Sequence, residues 1–135
     1  MALSTSERIA SARVWRKRYG GGMRQVGILA AAADYAITHH MSHLSHDHRR
    51  AKALATAIAQ VDSSLIDPSS VATNIVGLNL KSLGITAAEL AQRTKDAGLL
   101  IGALGPHFAR LVTHRDFDDA QCDQAIEILR KALVA

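Results

Sequence analysis

The sequence predicts an α+β chain, within the wider α/β class, in which long helices are followed by a small β-α-β-β-α domain. Three observations predict it. Of 135 residues, 48% are apolar and only 4% aromatic, so the core is aliphatic and alanine-rich, which suits close-packed helices better than a β-sandwich. Apolar residues recur every three or four positions as far as residue 61. Beyond it, short alternating runs are punctuated by Gly and Pro. Residues 1–61 are therefore expected to form a helical segment, and residues 62–135 a small α+β domain.

Residues 6–19 read as the first helix, capped by Ser4 or Ser6, with Ile9, Ala12 and Trp15 as one stripe. Gly20, Gly21 and Gly22 end it, since glycine takes positive φ readily and loses most entropy in a helix. Residues 23–41 form a longer helix, with Ile28, Leu29, Ala32, Ala36 and Ile37 on one side. The Ala30 to Ala33 run there lets a neighbouring helix approach closely. After a possible break at Ser45-His46-Asp47, residues 49–61 continue as a third helix with Ala51, Leu54, Ala55, Ile58 and Ala59 inward.

Residues 62–70 are a loop containing Pro68, and residues 72–80 alternate as a strand. Residues 86–97 form a helix opened by Thr86 with Glu89 three positions on, a capping box, and stopped by Gly98. Short strands at 99–104 and 108–113 flank a Gly105-Pro106 turn. A last helix at 120–134 directs Ile126, Leu129 and Leu133 inward. Two helices are expected to cover one face of the resulting sheet.

The composition excludes several classes. The apolar content is too high for a disordered chain. The single cysteine, Cys122, excludes an internal disulfide framework and suits a reducing compartment. No apolar run approaches the ~20 residues of a membrane span, and the N-terminus lacks a signal-peptide core. A cytoplasmic protein without a membrane partner is the expectation. Residues 1–24 carry a net charge of +5 and the rest of the chain −1. That cluster would attract phosphate, carboxylate or nucleic acid, or is simply a solvated helix face.

His39, His40, His43, His46 and His48 crowd one stretch, with His39 and His43, and His43 and His46, sharing helix faces. No Cys or Glu lies nearby to complete a metal site, so they read as a polar helix end. Cys122 reads as an inward thiol. The Gly20-Gly21-Gly22-Met23-Arg24-Gln25 segment is more informative. Its glycines permit close backbone approach, and a helix starting there would offer free N–H groups to an anion beside Arg24 and Lys17. A plain hinge between two helices fits the same residues.

The stretch Trp15-Arg16-Lys17-Arg18-Tyr19-Gly20-Gly21-Gly22-Met23-Arg24-Gln25-Val26-Gly27-Ile28-Leu29-Ala30-Ala31-Ala32 resembles the W-R-K-x-x-G-G-G-M-R-Q-x-G-x-L-A-A-A segment of threonine aldolases. Asp47-His48, Thr73-Asn74 and Arg110-Leu111-Val112-Thr113-His114 agree with later family motifs in order and spacing. The resemblance implies part of a fold type I pyridoxal-phosphate (PLP) transferase. Residues 1–61 would belong to its large domain and connecting helices, and residues 62–135 to its small C-terminal domain.

The same resemblance implies the chemistry. Arg110 would bind the α-carboxylate of a threonine-like substrate. Arg24 would reach the cofactor phosphate, with Lys17 and Gly20, Gly21 and Gly22 in the same active-site loop. The chain corresponds to the C-terminal part of such enzymes. The segment with the lysine that forms the Schiff base with PLP is not matched, and Lys17 is not that lysine by position. No catalytic residue is therefore expected in this chain, nor activity from the chain alone. A homo-oligomer or an N-terminal half-enzyme is the expected partner.

Two other classes remain. One is a non-catalytic module holding a phosphorylated ligand or nucleic acid on the basic first helix. The absence of a stacking platform and of a nucleic-acid motif argues against it. The other is a helical protein dimerising through its alanine face, which would not need the polar run at Arg110 to His114.

Overall fold

A computed structural model describes residues 3–134. The helices are α1 (Ser6–Arg18), α2 (Gly27–His40), α3 (Leu44–Val61), α4 (Ala87–Asp96) and α5 (Asp119–Val134), and the strands β1 (Ile75–Asn79), β2 (Gly102–Gly105) and β3 (Phe108–Val112). Three helices thus precede β-α-β-β-α, as the sequence predicts. Single 3-10 turns occupy Met41–His43, Pro68–Ser70 and Lys81–Leu83. The chain divides into two units, Met1–Met41 and Ser42–Ala135. The division falls before α3.

In the first unit, the cap of α1 is Thr5, not Ser4 or Ser6: its hydroxyl accepts the Arg8 N–H at 3.4 Å. The other end closes as expected. Gly20 takes φ +76°, and the N–H groups of Gly20 and Gly21 reach back to the carbonyls of Lys17 and Arg16. This pair of bonds satisfies the last carbonyls of the helix.

α2 begins at Gly27, not at Met23. Gln25 adopts a left-handed conformation (φ +53°) inside a turn over residues 24–26, and that is incompatible with a continuous helix. No side chain of α2 is buried. Ile28, Leu29, Tyr35 and Ile37 are all exposed, so the anticipated inward face has no interior. Apolar residues occupy every side of this helix, the pattern of one enclosed in a larger core.

In the second unit, Ser45-His46-Asp47 does not break the chain; α3 starts ahead of it at Leu44. Ala51, Leu54, Ala55 and Ile58 are buried and Ala59 partly so. The sheet is antiparallel throughout, in the order β1-β3-β2. Val76 and Leu78 of β1, with Ala109 and Leu111 of β3, face the core. Two helices lie on this face, α3 against β1 and α4 against β2 and β3, and α5 packs against both of them. Each fully buried Leu here, such as Leu54, Leu90 and Leu129, contributes about 1.5–3 kcal/mol.

α4 carries the anticipated capping box, Thr86 Oγ1 accepting the Glu89 N–H at 3.1 Å and Glu89 Oε2 accepting the Thr86 N–H at 2.6 Å. Gly98 follows it at φ +91°. In α5, Leu129 and Leu133 are buried, Ile126 is half-buried, and Cys122, Ala125 and Ala132 join them in the core. Burial pushes the Cys122 thiol up, and its Sγ–H donates to the Arg50 carbonyl at 3.8 Å.

Candidate functional site

The glycine turn lies in the first unit. Lys17 stands in the last turn of α1 and its side chain folds over Gly22; a Cβ on Gly22 would lie 3.0 Å from Lys17 Cδ and 3.6 Å from Nζ. A Cβ on Gly21 would meet Arg16 Cγ at 3.0 Å and the Arg16 carbonyl oxygen at 3.2 Å. Gly20 therefore supplies the positive φ, while Gly21 and Gly22 supply the space for the chain to double back on α1.

Arg24 is exposed in the turn that follows, and no described residue forms an ion pair or hydrogen bond with it. The delayed start of α2 removes the free helical N–H groups from the glycines, so any anion there would meet side-chain charge rather than a helix end. Nearby, Arg18 lies over the Trp15 ring at 5.0 Å, and Trp15 stacks on Tyr19.

Arg110 lies in the second unit, at the middle of β3. Phe108, Arg110 and Val112 point away from the core, because side chains alternate along a strand. Register places Arg110 opposite Gly77 of β1 and Gly102 of β2. Arg110 therefore has no opposed side chain on either neighbouring strand. Around it the same face carries Ile75, Val112 and Phe108, each close to half exposed. Among the described residues no carboxylate pairs with Arg110. An arginine without a partner on an apolar face is a ready receptor for a planar anion, since its fork makes two parallel charged hydrogen bonds to one carboxylate.

Three sequence motifs converge beside this strand. Thr113 is buried; its hydroxyl donates to the Asp47 carbonyl at 2.7 Å. Its N–H donates to the Asn74 carbonyl at 3.0 Å, and the Asn74 amide donates back to the Thr113 carbonyl at 2.7 Å. Asp47-His48, Thr73-Asn74 and Arg110 to His114 thus form one junction that anchors the end of β3.

Arg50 extends this junction, reaching Asp119 at 2.7 Å and the buried Asp47 at 3.5 Å. Neither these pairings nor the two glycines beside Arg110 were foreseen from sequence. Only strand register and helix packing bring such distant positions together.

The histidines spread along their helices. His39 stacks on Tyr35 at 4.1 Å, and the His43 and His46 rings are 6.1 Å apart. Among the described residues, no three His, Cys, Asp or Glu side chains converge as metal ligands would. No helix among them is long and apolar enough to cross a membrane.

Among the described residues, five helices and a small three-stranded antiparallel sheet are what part of an α/β transferase fold holds. Residues 2–81 match the beta-eliminating lyase family, and the chain belongs to it. Its relatives are threonine aldolases above all. It is 36% identical over 107 residues to the low specificity L-threonine aldolase of Escherichia coli (strain K12), covering 79% of this chain and 30% of that one.

It is 29% identical over 127 residues to low-specificity L-threonine aldolase 1 of Arabidopsis thaliana, covering 93% and 36%. It is also 27% identical over 143 residues to alanine racemase TOXG of Cochliobolus carbonum, spanning 100% of this chain and 35% of that one. The chain spans about a third of the length of the curated relatives it matches.

Proposed function

We propose that this chain forms the C-terminal part of a PLP-dependent threonine aldolase, which cleaves threonine or a related β-hydroxy-α-amino acid to glycine and an aldehyde. The observation that carries the reading is Arg110, unpaired on an apolar sheet face between two glycines. Its role is to grip the substrate α-carboxylate. A bidentate grip fixes orientation as well as affinity, and so holds the Cα–Cβ bond in the attitude in which it breaks; orientation of this kind is worth several kcal/mol in general.

The residues present fit one end of PLP. Lys17 and Arg24 concentrate positive charge around the crowded turn at Gly20, Gly21 and Gly22, which suits a phosphate. When bound, PLP supplies the electron sink for the pair left at Cα. The lysine that holds the cofactor aldehyde and the acid that pairs with its ring nitrogen come, in this reading, from another polypeptide segment. The chain alone is then inactive, and its partner is that segment or a second copy within an oligomer.

The test adds PLP to the purified chain, follows its absorbance, then supplies threonine and assays acetaldehyde. The expected result is no product from the chain alone, and product after reconstitution with a segment carrying the missing lysine. In the reconstituted form, Arg110→Ala raises KM about tenfold or more, the loss of roughly 1.4 kcal/mol of charged hydrogen bonding. An unchanged KM overturns the carboxylate role. Turnover by the isolated chain would place the cofactor lysine in this chain, Lys17 first among its lysines, and overturn the partial-enzyme reading.

A further inference from the structure

The end of β1 and the turn that leads into β3 enclose a cleft of about 480 Å³, lined by Asn79, Lys81, Pro106, His107 and Phe108. From its chemistry we infer that it binds a phosphate monoester carried on a flat ring. The cleft lies wholly in the second unit and uses neither Arg110 nor the glycine turn, so it stands apart from the aldolase reading. Its size falls within the roughly 300–1,000 Å³ of small-molecule sites.

The walls are held in place before any ligand arrives. Asn79 and Phe108 are opposed in register, so their side chains share one face of the sheet. The Leu80 N–H donates to the His107 carbonyl at 2.9 Å, and the Ala87 N–H to the Pro106 carbonyl at 2.8 Å. These two bonds clamp the turn at Pro106 and His107 between the end of β1 and the start of α4. The Phe108 ring rests over Gly77, where a Cβ would lie 2.9 Å from its Cζ. A site whose walls are already ordered loses little entropy on binding.

The polar groups in it are mostly donors. Lys81 is exposed, and among the described residues no carboxylate forms an ion pair with it. Asn79 Oδ1 accepts the Lys81 N–H at 3.2 Å, which leaves the amide hydrogens of Asn79 for another acceptor. A carbonyl only accepts, so the 3.0 Å contact between His107 Nδ1 and the Ile85 carbonyl places a proton on Nδ1 and fixes the ring. Nε2 is the nitrogen left over. No Asp or Glu lines the cleft. Glu89, at the start of α4, is committed to the N–H and hydroxyl of Thr86.

A cation and amide donors without an acid select an anion. They stand on separate stretches of backbone and make no planar fork. Such a set suits phosphate oxygens, which point in several directions, better than a flat carboxylate, whose matched partner is arginine. His107 Nε2 takes the hydroxyl proton of a phosphate monoanion as a hydrogen bond or, when charged, donates to the dianion. Phe108 and Pro106 supply the apolar wall on which a flat ring stacks.

The test titrates phenyl phosphate into the isotope-labelled chain and follows the Asn79 side-chain amide, the His107 ring and Lys81 by NMR, with inorganic phosphate and phenol as separate arms. The expected result is saturable shifts at all three residues and binding about tenfold tighter than either inorganic phosphate or phenol gives. Lys81→Ala should weaken phenyl phosphate about tenfold and leave the thermal midpoint unchanged, because the side chain is exposed. Phe108→Leu should bring phenyl phosphate down towards inorganic phosphate.

Shifts confined to the basic residues of α1, and unaltered by Lys81→Ala, would overturn the site, since the anion would then merely follow net charge. Equal affinity of the parent for phenyl phosphate and inorganic phosphate would overturn the ligand class. That comparison needs no variant, so it decides the role of the ring even if Phe108→Leu fails to fold.

Discussion

The Thr113 hydroxyl donates a 2.7 Å hydrogen bond to the Asp47 carbonyl across 66 residues of chain. It ties the end of β3 to the first turns of α3, and both Thr113 and the Asp47 side chain are buried there. Arg110 stands three residues upstream, within β3, so this junction helps set where its side chain emerges.

Thr113→Val should destabilise the fold by about 1–3 kcal/mol, because the isostere removes the donor and leaves its buried acceptor under-satisfied. Thr113→Ser keeps the hydroxyl and should cost less. Urea unfolding followed by circular dichroism compares the two. Equal stability of Thr113→Val and the parent would remove the junction from the forces holding β3.

Arg50 is the second tie. Its side chain is only 12% exposed, and it spans Asp47 and Asp119. Arg50→Ala leaves the Asp47 carboxylate buried without its cation, and stranding a charge is more harmful than removing a pair. The expected loss is about 2 kcal/mol, below the range for fully buried pairs because the Arg50 to Asp47 contact is loose. The double variant Arg50→Met with Asp47→Asn should recover part of it. A loss in the double variant equal to the sum of the two singles would contradict the coupling.

Acid should weaken the second unit. The Glu89 carboxyl is held below the usual range by the N–H and hydroxyl of Thr86. Asp119 is held down by the Arg50 hydrogen bond, then by the charges of Arg49 and Arg50. Asp62 and Asp67 are lowered mainly by donors from Ser64 and Ser69. Each folded pKa lies below its unfolded value, so this stability is complete above the ordinary carboxylate range, at about pH 5. It is lost as pH falls through the folded pKa values. Thermal midpoints measured from about pH 5 down to about pH 3 should fall, and less steeply in Glu89→Gln. A flat profile would contradict it.

The exposed faces of α2 should make the purified chain self-associate. Ile28 and Leu29 are 75% and 56% exposed, and an apolar patch in water seeks cover. Sedimentation should show a mass rising with concentration, accompanied by binding of an apolar dye. Leu29→Glu with Ile37→Glu should reduce both. A clean monomer without dye binding would count against it.

Much of this fold was legible because local chemistry decides it. Thr86 with Glu89 and Gly98 marked both ends of α4. The glycine triplet stopped α1, and the alternation around Val76 and Leu78 marked a core strand. The failures share one cause. The starts of α2 and α3 depend on a left-handed Gln25 and a 3-10 turn at Met41–His43, and no residue there has a strong enough local preference to announce either. The face of α2 was unreadable because every side of it is apolar.

The sequence by itself determined the order of elements, the capping of α4, and the likeness to threonine aldolases. The tertiary structure alone decided that α3 packs with the sheet. It also decided that Thr113, Asn74 and Asp47 meet and that Phe108 fills the space over Gly77. Alternation and capping are set within a few residues, whereas strand register and helix packing join positions tens of residues apart, where no local pattern carries the information.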